Sequence, residues 1–408
     1  MTSPIIISIK KNYLSKLEQQ NIKIYKPFGI ILFARNISNF NQVRQLTSSI
    51  KSLSKKTLIF IDQEGGIVNR FKNFSEFQFK NNFDLYDIYL KYPSLAKQLV
   101  YLKSFITNYY LSSLGIDVNT IPVLDIPNSK TVSMIKKRTF GSELKINTIL
   151  TDISVQSSLD FGVMPVMKHF PGHGLTNKDS HFIKPVTNAS TKVLNHQLSL
   201  FKTFIKLPMI MTAHIQYQNW DNHNIATFSP YILKDILRKK LKYKGLVMSD
   251  DLVMKANNQS IEKSIDLSNK SGLDIILDCS SDWKRYRKIL EKFKKTNFFK
   301  SVTLKILALI FPSLKVSGKG IVKVQASNNV EMLKELSQDE FFIQKPTLKS
   351  LNGIVNLMDE SYIDSIEFLR RPIYNTFILI PIIDEIVPRK PLIRILESYQ
   401  RDLIEIQK

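Results

Sequence analysis

The chain has 408 residues, a formal net charge of +23, 43% hydrophobic residues and 23% charged residues, enough to bury one large core or two smaller ones and ordinary for a globular protein. Cys279 is its single cysteine, which excludes an intramolecular disulfide and a cysteine-rich zinc site. No apolar run reaches the roughly 18 residues of a membrane span, and lysines scattered from Lys10 to Lys408 form no long basic block, so no specific nucleic-acid partner is expected, although polyanions should adhere at low salt.

The start, "MTSPIIISIKKNY", lacks a basic stretch before its short apolar run and a small-residue cleavage site after it. No secretory signal and a cytoplasmic location are therefore expected. In chain order, apolar β-branched runs follow at "PIIIS" (4–8), "FGIILF" (28–33), "TLIFID" (57–62), "DVNTIPVLD" (117–125), "MPVMKH" (164–169), "PMIMTAH" (208–214), "GLVMSD" (245–250) and "LDIIL" (273–277). They are apolar on both faces rather than alternating, which suits parallel strands buried on both sides. Amphipathic stretches such as "NQVRQLTSSIKSLSKK" and "SPYILKDILRKKLKY" lie between them. Eight strands with helices in the gaps predict an α/β fold, a (β/α)8 TIM barrel spanning residues 1–313. An open doubly wound sheet is the competing arrangement. Residues 314–408 change pattern, with a strand-like "GIVKVQAS" and an apolar "NTFILIPIID". They read as a C-terminal extension or small appended domain of unknown fold and function.

Five of the expected strands end in charged or imidazole side chains: Asp62, Asp125, the Lys168–His169 pair, His214 and the Asp250–Asp251 pair. In a barrel those ends converge on one mouth, where active sites lie. The densest stretch is "KHFPGHGLTNKDSH" (168–181), with three of the six histidines. It admits three readings: a metal site, an acid/base, or a polar loop without chemistry. His169, His173, Asp179 and His181 could ligate zinc, but "FPG" between the first two opposes the helix that would align them, so no metal is expected. Asp179 and His181, two apart, can form a carboxylate–imidazole pair working near neutral pH. Gly172 and Gly174 would let the loop adopt positive φ and move over a substrate. In "SDDL" (249–252) an aspartate could be a nucleophile, or the segment could cap a helix. "DQEGG" (62–66) is either a two-glycine turn or a grip on ligand hydroxyls, and Arg70 and Arg138 are isolated arginines of a kind usually inert on surfaces.

Together "ILFARN", "IDQEGGIVNRF", "VLDI", "RTFGS", "KHFPGHG", "DSH", "MTAH" and "MSDDL" resemble, in order, the motifs of family 3 glycoside hydrolases. More narrowly, residues 1–300 are similar to the bacterial cytoplasmic β-N-acetylglucosaminidases of peptidoglycan recycling. The resemblance implies a retaining exo-β-N-acetylglucosaminidase with Asp250 as nucleophile and His181, assisted by Asp179, as acid/base. It implies that Asp62, Arg70, Arg138, Lys168 and His169 bind the sugar, a mixed set of donors and acceptors that suits hydroxyl groups. Its partner would be a small carbohydrate, an N-acetylglucosaminyl muropeptide, with no cofactor, no membrane and a monomeric state. Leu175, Ile67 and Val253 depart from residues frequent in the family, and residues 314–408 have no counterpart in its compact members. Two alternatives stay open: a phosphorylase, because a histidine acid/base does not repel incoming phosphate, and a non-catalytic barrel that binds wall fragments.

Overall fold

The computed structural model describes residues 3–177, 184–294, 316–317 and 320–321. Eight parallel strands close into a barrel: β1 (Ser3–Ser8), β2 (Pro27–Leu32), β3 (Leu58–Ile61), β4 (Val118–Asn119), β5 (Met164–Phe170), β6 (Met209–Thr212), β7 (Leu246–Asp251) and β8 (Ile275–Asp278). Each pairs with its neighbours in sequence, and β1 closes the ring on β8 in the register Ile7↔Asp278. The doubly wound alternative, which leaves two open edges, is thereby excluded. All eight expected runs form these strands. One is much shorter than expected: regular pairing in β4 stops at Asn119 because Pro122 has no N–H to donate. The chain nevertheless continues beside β5, with Leu124 N–H donating to the Lys168 carbonyl at 2.7 Å and Lys168 N–H to that of Pro122 at 3.0 Å.

Around the ring run α1 (Lys16–Tyr25), α2 (Phe40–Leu53), α3 (Asn82–Lys91), α4 (Pro93–Ser113), α5 (Leu144–Asp160), α6 (Thr191–Thr203), α7 (Ile261–Ser271) and α8 (Trp283–Lys294). Their starts are set by local chemistry. Ser15 and Glu18 form a capping box on α1, and the side chains of Asn39, Ser190 and Ser260 accept from the first turns of α2, α6 and α7. The helix expected after "SP" at 229–230 forms at Tyr231–Lys240 with π-type rather than α-type hydrogen bonding.

One apolar cluster draws on every strand, including Ile6, Phe28, Phe60, Val118, Val166, Met211, Met248 and Leu277, all almost fully buried. The interior is thus a packed core rather than a pore. The chain divides at Pro312–Ser313. Beyond it, Val316–Ser317 pairs antiparallel with Gly320–Ile321; the remainder of the expected C-terminal extension lies outside the described residues. No helix among the described residues is long and apolar enough to cross a membrane.

Gly29 in β2 lies against the ring of Phe60 in β3, which occupies the space a Cβ would need. Gly29→Ala is therefore expected to destabilise the barrel by about 1–3 kcal/mol through overpacking. Thermal unfolding checks this, and an unchanged midpoint would mean that the ring moves aside at no cost.

Candidate active site

The strand ends of β3 to β5 carry a buried network of charge. Lys168, 2% exposed, leaves β5 and places Nζ 2.6 Å from Glu64 Oε1 and 3.3 Å from Asp62 Oδ1. It also donates to Thr120 Oγ1 at 2.9 Å, and the Thr120 hydroxyl in turn donates to Asp62. Arg70 Nη2 holds the other Asp62 oxygen at 2.9 Å, and its guanidinium lies over the Phe33 ring. Arg138 grips Glu64 with both arms of its guanidinium, Nε and Nη2, each at 2.8 Å. Neither arginine is an idle surface residue. Burial would raise the carboxyl groups of Asp62 and Glu64, but the adjacent cations outweigh it and hold both below the usual carboxylate range.

His169, next to Lys168, faces two partners. Nδ1 lies 2.8 Å from Asp125 Oδ2, and Nε2 lies 3.3 Å from Arg138 Nη2. A guanidinium can only donate, so Nε2 accepts and the ring hydrogen sits on Nδ1, given to Asp125. Asp125 also accepts the backbone N–H of His169 at 3.2 Å and of His173 at 2.6 Å. Burial opposes its charge, yet His169 and His173 keep it well below the ordinary range. A metal does not fit here, because the one nitrogen of His169 not facing Asp125 faces a fixed positive charge. Burial pushes the neighbouring His173 imidazole down to about 4, so it is uncharged near neutral pH. Among the described residues, no three His, Cys, Asp or Glu side chains come together in a group that could hold a metal ion.

The backbone between these groups is pinned. Gly174 approaches the Ile126 carbonyl so closely that any Cβ would collide with it, and its own carbonyl accepts from Thr131 Oγ1 at 2.6 Å. Gly172 has φ 131°, and its carbonyl accepts from the buried Tyr217 hydroxyl at 2.7 Å. Gly172 takes the positive φ expected of it, while Gly174 serves close packing against Ile126. Asp179 and His181 lie outside the described residues.

Across the barrel, β7 ends in two carboxylates with different partners. Asp251 Oδ1 accepts the backbone N–H of Cys279 at 2.9 Å and of Val253 at 3.1 Å. Its carbonyl faces His214 Nε2 at 3.1 Å, while His214 Nδ1 meets Thr227 Oγ1 at 2.7 Å. His214, fully buried at the end of β6, is a strut for the β7 end. Burial lifts the Asp251 carboxyl to about 6 despite the two N–H donors. Asp250 Oδ1 accepts the N–H of Asp251 at 2.8 Å. The segment also ends a strand rather than capping a helix: α7 begins at Ile261, capped by Ser260. Burial raises the Cys279 thiol, and Asp251, Asp62, Asp278 and Asp250 raise it further.

The barrel thus gathers Asp62, Arg70, Arg138, Lys168 and His169 on one side of the mouth and Asp250 on the other. Sequence reading gave Glu64, Thr120 and Asp125 no individual role: Asp125 entered only as one of five polar strand ends, Glu64 only within "DQEGG", and Thr120 not at all. A charge count offered a signal for Glu64: Lys168, Arg70 and Arg138 are three cations, and Asp62 alone cannot neutralise them.

Residues 7–303 match the family model described as the glycosyl hydrolase family 3 N terminal domain. A beta-hexosaminidase of Glaesserella parasuis serovar 5 (strain SH0165) is 32% identical over 285 residues, covering 68% of this chain and 80% of that protein. NagZ from Neisseria gonorrhoeae, solved in complex with N-trifluoroacetyl-D-glucosamine, matches with a TM-score of 0.68 and 26% identity over 84% of this chain and 95% of that one. The same protein solved with zinc ion matches with a TM-score of 0.67 and 25% identity over the same shares. With a closed eight-stranded parallel barrel, polar groups assembled at its mouth and a family match over most of its length, the chain belongs to glycosyl hydrolase family 3 and is a glycoside hydrolase.

Proposed function

We propose that the protein is a retaining exo-β-N-acetylglucosaminidase that removes terminal β-linked N-acetylglucosamine, with anhydro-muropeptides of cell-wall recycling as natural substrates in the cytoplasm, acting as a monomer. The observation that carries this reading is the clamp of Asp62, Arg70, Lys168 and Arg138 facing Asp250. Paired charges held at fixed positions present donors and acceptors to sugar hydroxyls without reorganising. The named relatives, a beta-hexosaminidase and a protein bound to an N-acylated glucosamine, support the same sugar class.

In this mechanism Asp62, Arg70, Lys168, Arg138 and His169 bind the hydroxyls and orient the ring. The Asp250 carboxylate attacks the anomeric carbon and forms a covalent glycosyl-enzyme as the bond to the leaving oxygen breaks. His181, oriented by Asp179, protonates that oxygen and then takes a proton from the water that releases the sugar. Two features support this division. His169 is held between Asp125 and Arg138, and His173 is buried and uncharged near neutral pH, so neither competes as the acid. The Asp251 carboxyl is occupied by two backbone N–H groups and is lifted toward its protonated form, both poor properties for a nucleophile.

Asp250→Ala is expected to lower turnover of an aryl β-N-acetylglucosaminide by about four orders of magnitude or more with the fold intact. Asp251→Asn keeps an acceptor for both N–H groups and should cost no more than about tenfold. The reverse ranking, in folded variants, would move the nucleophile to Asp251.

For His181→Ala the expected loss is about two to four orders of magnitude, and it depends on the leaving group. Disaccharide or muropeptide cleavage should suffer far more than glycosylation by a nitrophenyl glycoside, and azide should partly restore the second step. Asp179→Asn should give a milder version. Equal damage to good and poor leaving groups, with no azide effect, would make His181 structural.

Turnover should survive exhaustive chelation and gain nothing from added zinc. Activity lost to a chelator and restored by zinc would give the metal seen with the Neisseria relative a catalytic part here. Turnover unaffected by phosphate would set aside phosphorolysis.

A further inference from the structure

Behind the sugar clamp, outside the ring of strands, lies a buried lysine with no part in the mechanism above. Lys103 in α4 is 8% exposed. Its ammonium donates to Asn82 Oδ1 at 2.7 Å and to the Lys80 carbonyl at 3.2 Å. Asn82 is the first residue of α3, and its side-chain amide donates to the Arg138 carbonyl at 2.9 Å. Arg138 is the residue that grips Glu64 and faces His169. The lysine stem also lies under the two-glycine turn: a Cβ on Gly65, at φ 78°, would come 2.7 Å from Lys103 Cε. Asn81, beside Asn82, accepts the Ile67 N–H of the same turn at 3.0 Å. A small cavity lined by Glu64, Asn82, Lys103, Thr107 and Asn108 separates this corner from the barrel wall.

A cation is expensive to bury, and a surface helix such as α4 offers many apolar residues that would fill the same volume. Resting on the sugar-clamp reading of the site, we infer that Lys103 is a positioning residue, which fixes Arg138 through Asn82 and Glu64 through the turn above it and thereby sets sugar affinity. The carboxylates facing it are Glu64, from the turn after β3, and Asp84, from the first turn of α3. Both favour its charge, but burial outweighs them and brings the ammonium down to about 8. The corner behind the clamp therefore holds an ammonium that burial biases toward its neutral form. The sign is clear: below about pH 8 Lys103 is charged and Glu64 has a positive backing; above it that backing is lost.

The test measures KM and kcat for an aryl β-N-acetylglucosaminide from pH 6 to 10 on the full-length wild type, Lys103→Met and Lys103→Gln. Methionine keeps the stem volume but removes charge and donors. The expected result for Lys103→Met is a KM raised by up to about 100-fold, the scale of a misplaced binding group, with a smaller change in kcat. Wild-type KM should rise above pH 8, and that rise should be absent in Lys103→Met. Lys103→Gln, which can still donate to Asn82, should recover part of the loss. Folded Lys103→Met with wild-type KM throughout would overturn the inference. If Lys103→Met does not fold, Asn82→Ala cuts the same link at Arg138 and should raise KM alike; an unchanged KM there overturns it as well. If the wild type cleaves no hexosaminide, the sugar reading fails, and crystals of Lys103→Met decide the positioning role separately. Arg138 displaced from Glu64 supports it, and an unaltered Arg138–Glu64 pair refutes it.

Discussion

The ammonium of Lys168, enclosed between Glu64 and Asp62, is the interaction on which the rest of the site depends. A cation this deeply buried is tolerable only when its partners are fixed, because losing one member of such a pair typically costs about 3–5 kcal/mol. The pairing reaches outward from there. Glu64 binds Arg138, Arg138 faces His169, His169 holds Asp125, and Asp125 accepts two backbone N–H groups of the "KHFPGH" segment. The members come from the ends of β3, β4 and β5 and the loops after them, so the network exists only when these three strands lie side by side. Pairs of this kind contribute little net stability compared with apolar packing. What they supply is a set of donors and acceptors whose positions are settled before a ligand arrives.

The opposite side of the mouth is organised differently. Here the backbone, not paired charge, holds the carboxylates in place. Asp251 ties the β7 end to Cys279 and Val253, and His214 braces its carbonyl. Asp250 is left at the strand end with its neighbour carrying the structural duty. In the proposed mechanism, environment rather than residue type divides the roles of these adjacent aspartates: Asp251 is pushed toward the neutral form and Asp250 attacks. The rigid backing on the α3–α4 side and the backbone bracing on the β7 side together make the mouth a frame. The segment that carries His181 and Asp179 is attached to it beyond Gly174.

Much of this was legible from residues alone. Apolar runs with β-branched residues on both faces marked all eight strands, since a strand covered on both sides needs no alternation. Polar residues closing five of those runs pointed to the mouth. What stayed hidden was pairing. Glu64 looked like part of a glycine turn, and Arg70 and Arg138 looked idle, because ion-pair partners 8 to 104 positions away in sequence carry no local signature. Gly174 depended on tertiary structure for a related reason. Gly174 could be explained as freedom or as close approach, and only the Ile126 carbonyl beside it decides for close approach.

By itself, the sequence determined the barrel class, the strand positions and the residue types available at the mouth, because hydrophobic periodicity and strand-end chemistry are local properties. Tertiary structure decided which charges meet and which atom of each residue is already committed. It assigned Asp251 to the backbone and His214 to a strut, and it placed Lys103 beneath the clamp. The physical reason is that burial and Coulomb interaction depend on distance through space, and closing an eight-stranded ring sets distances that no spacing along the chain contains.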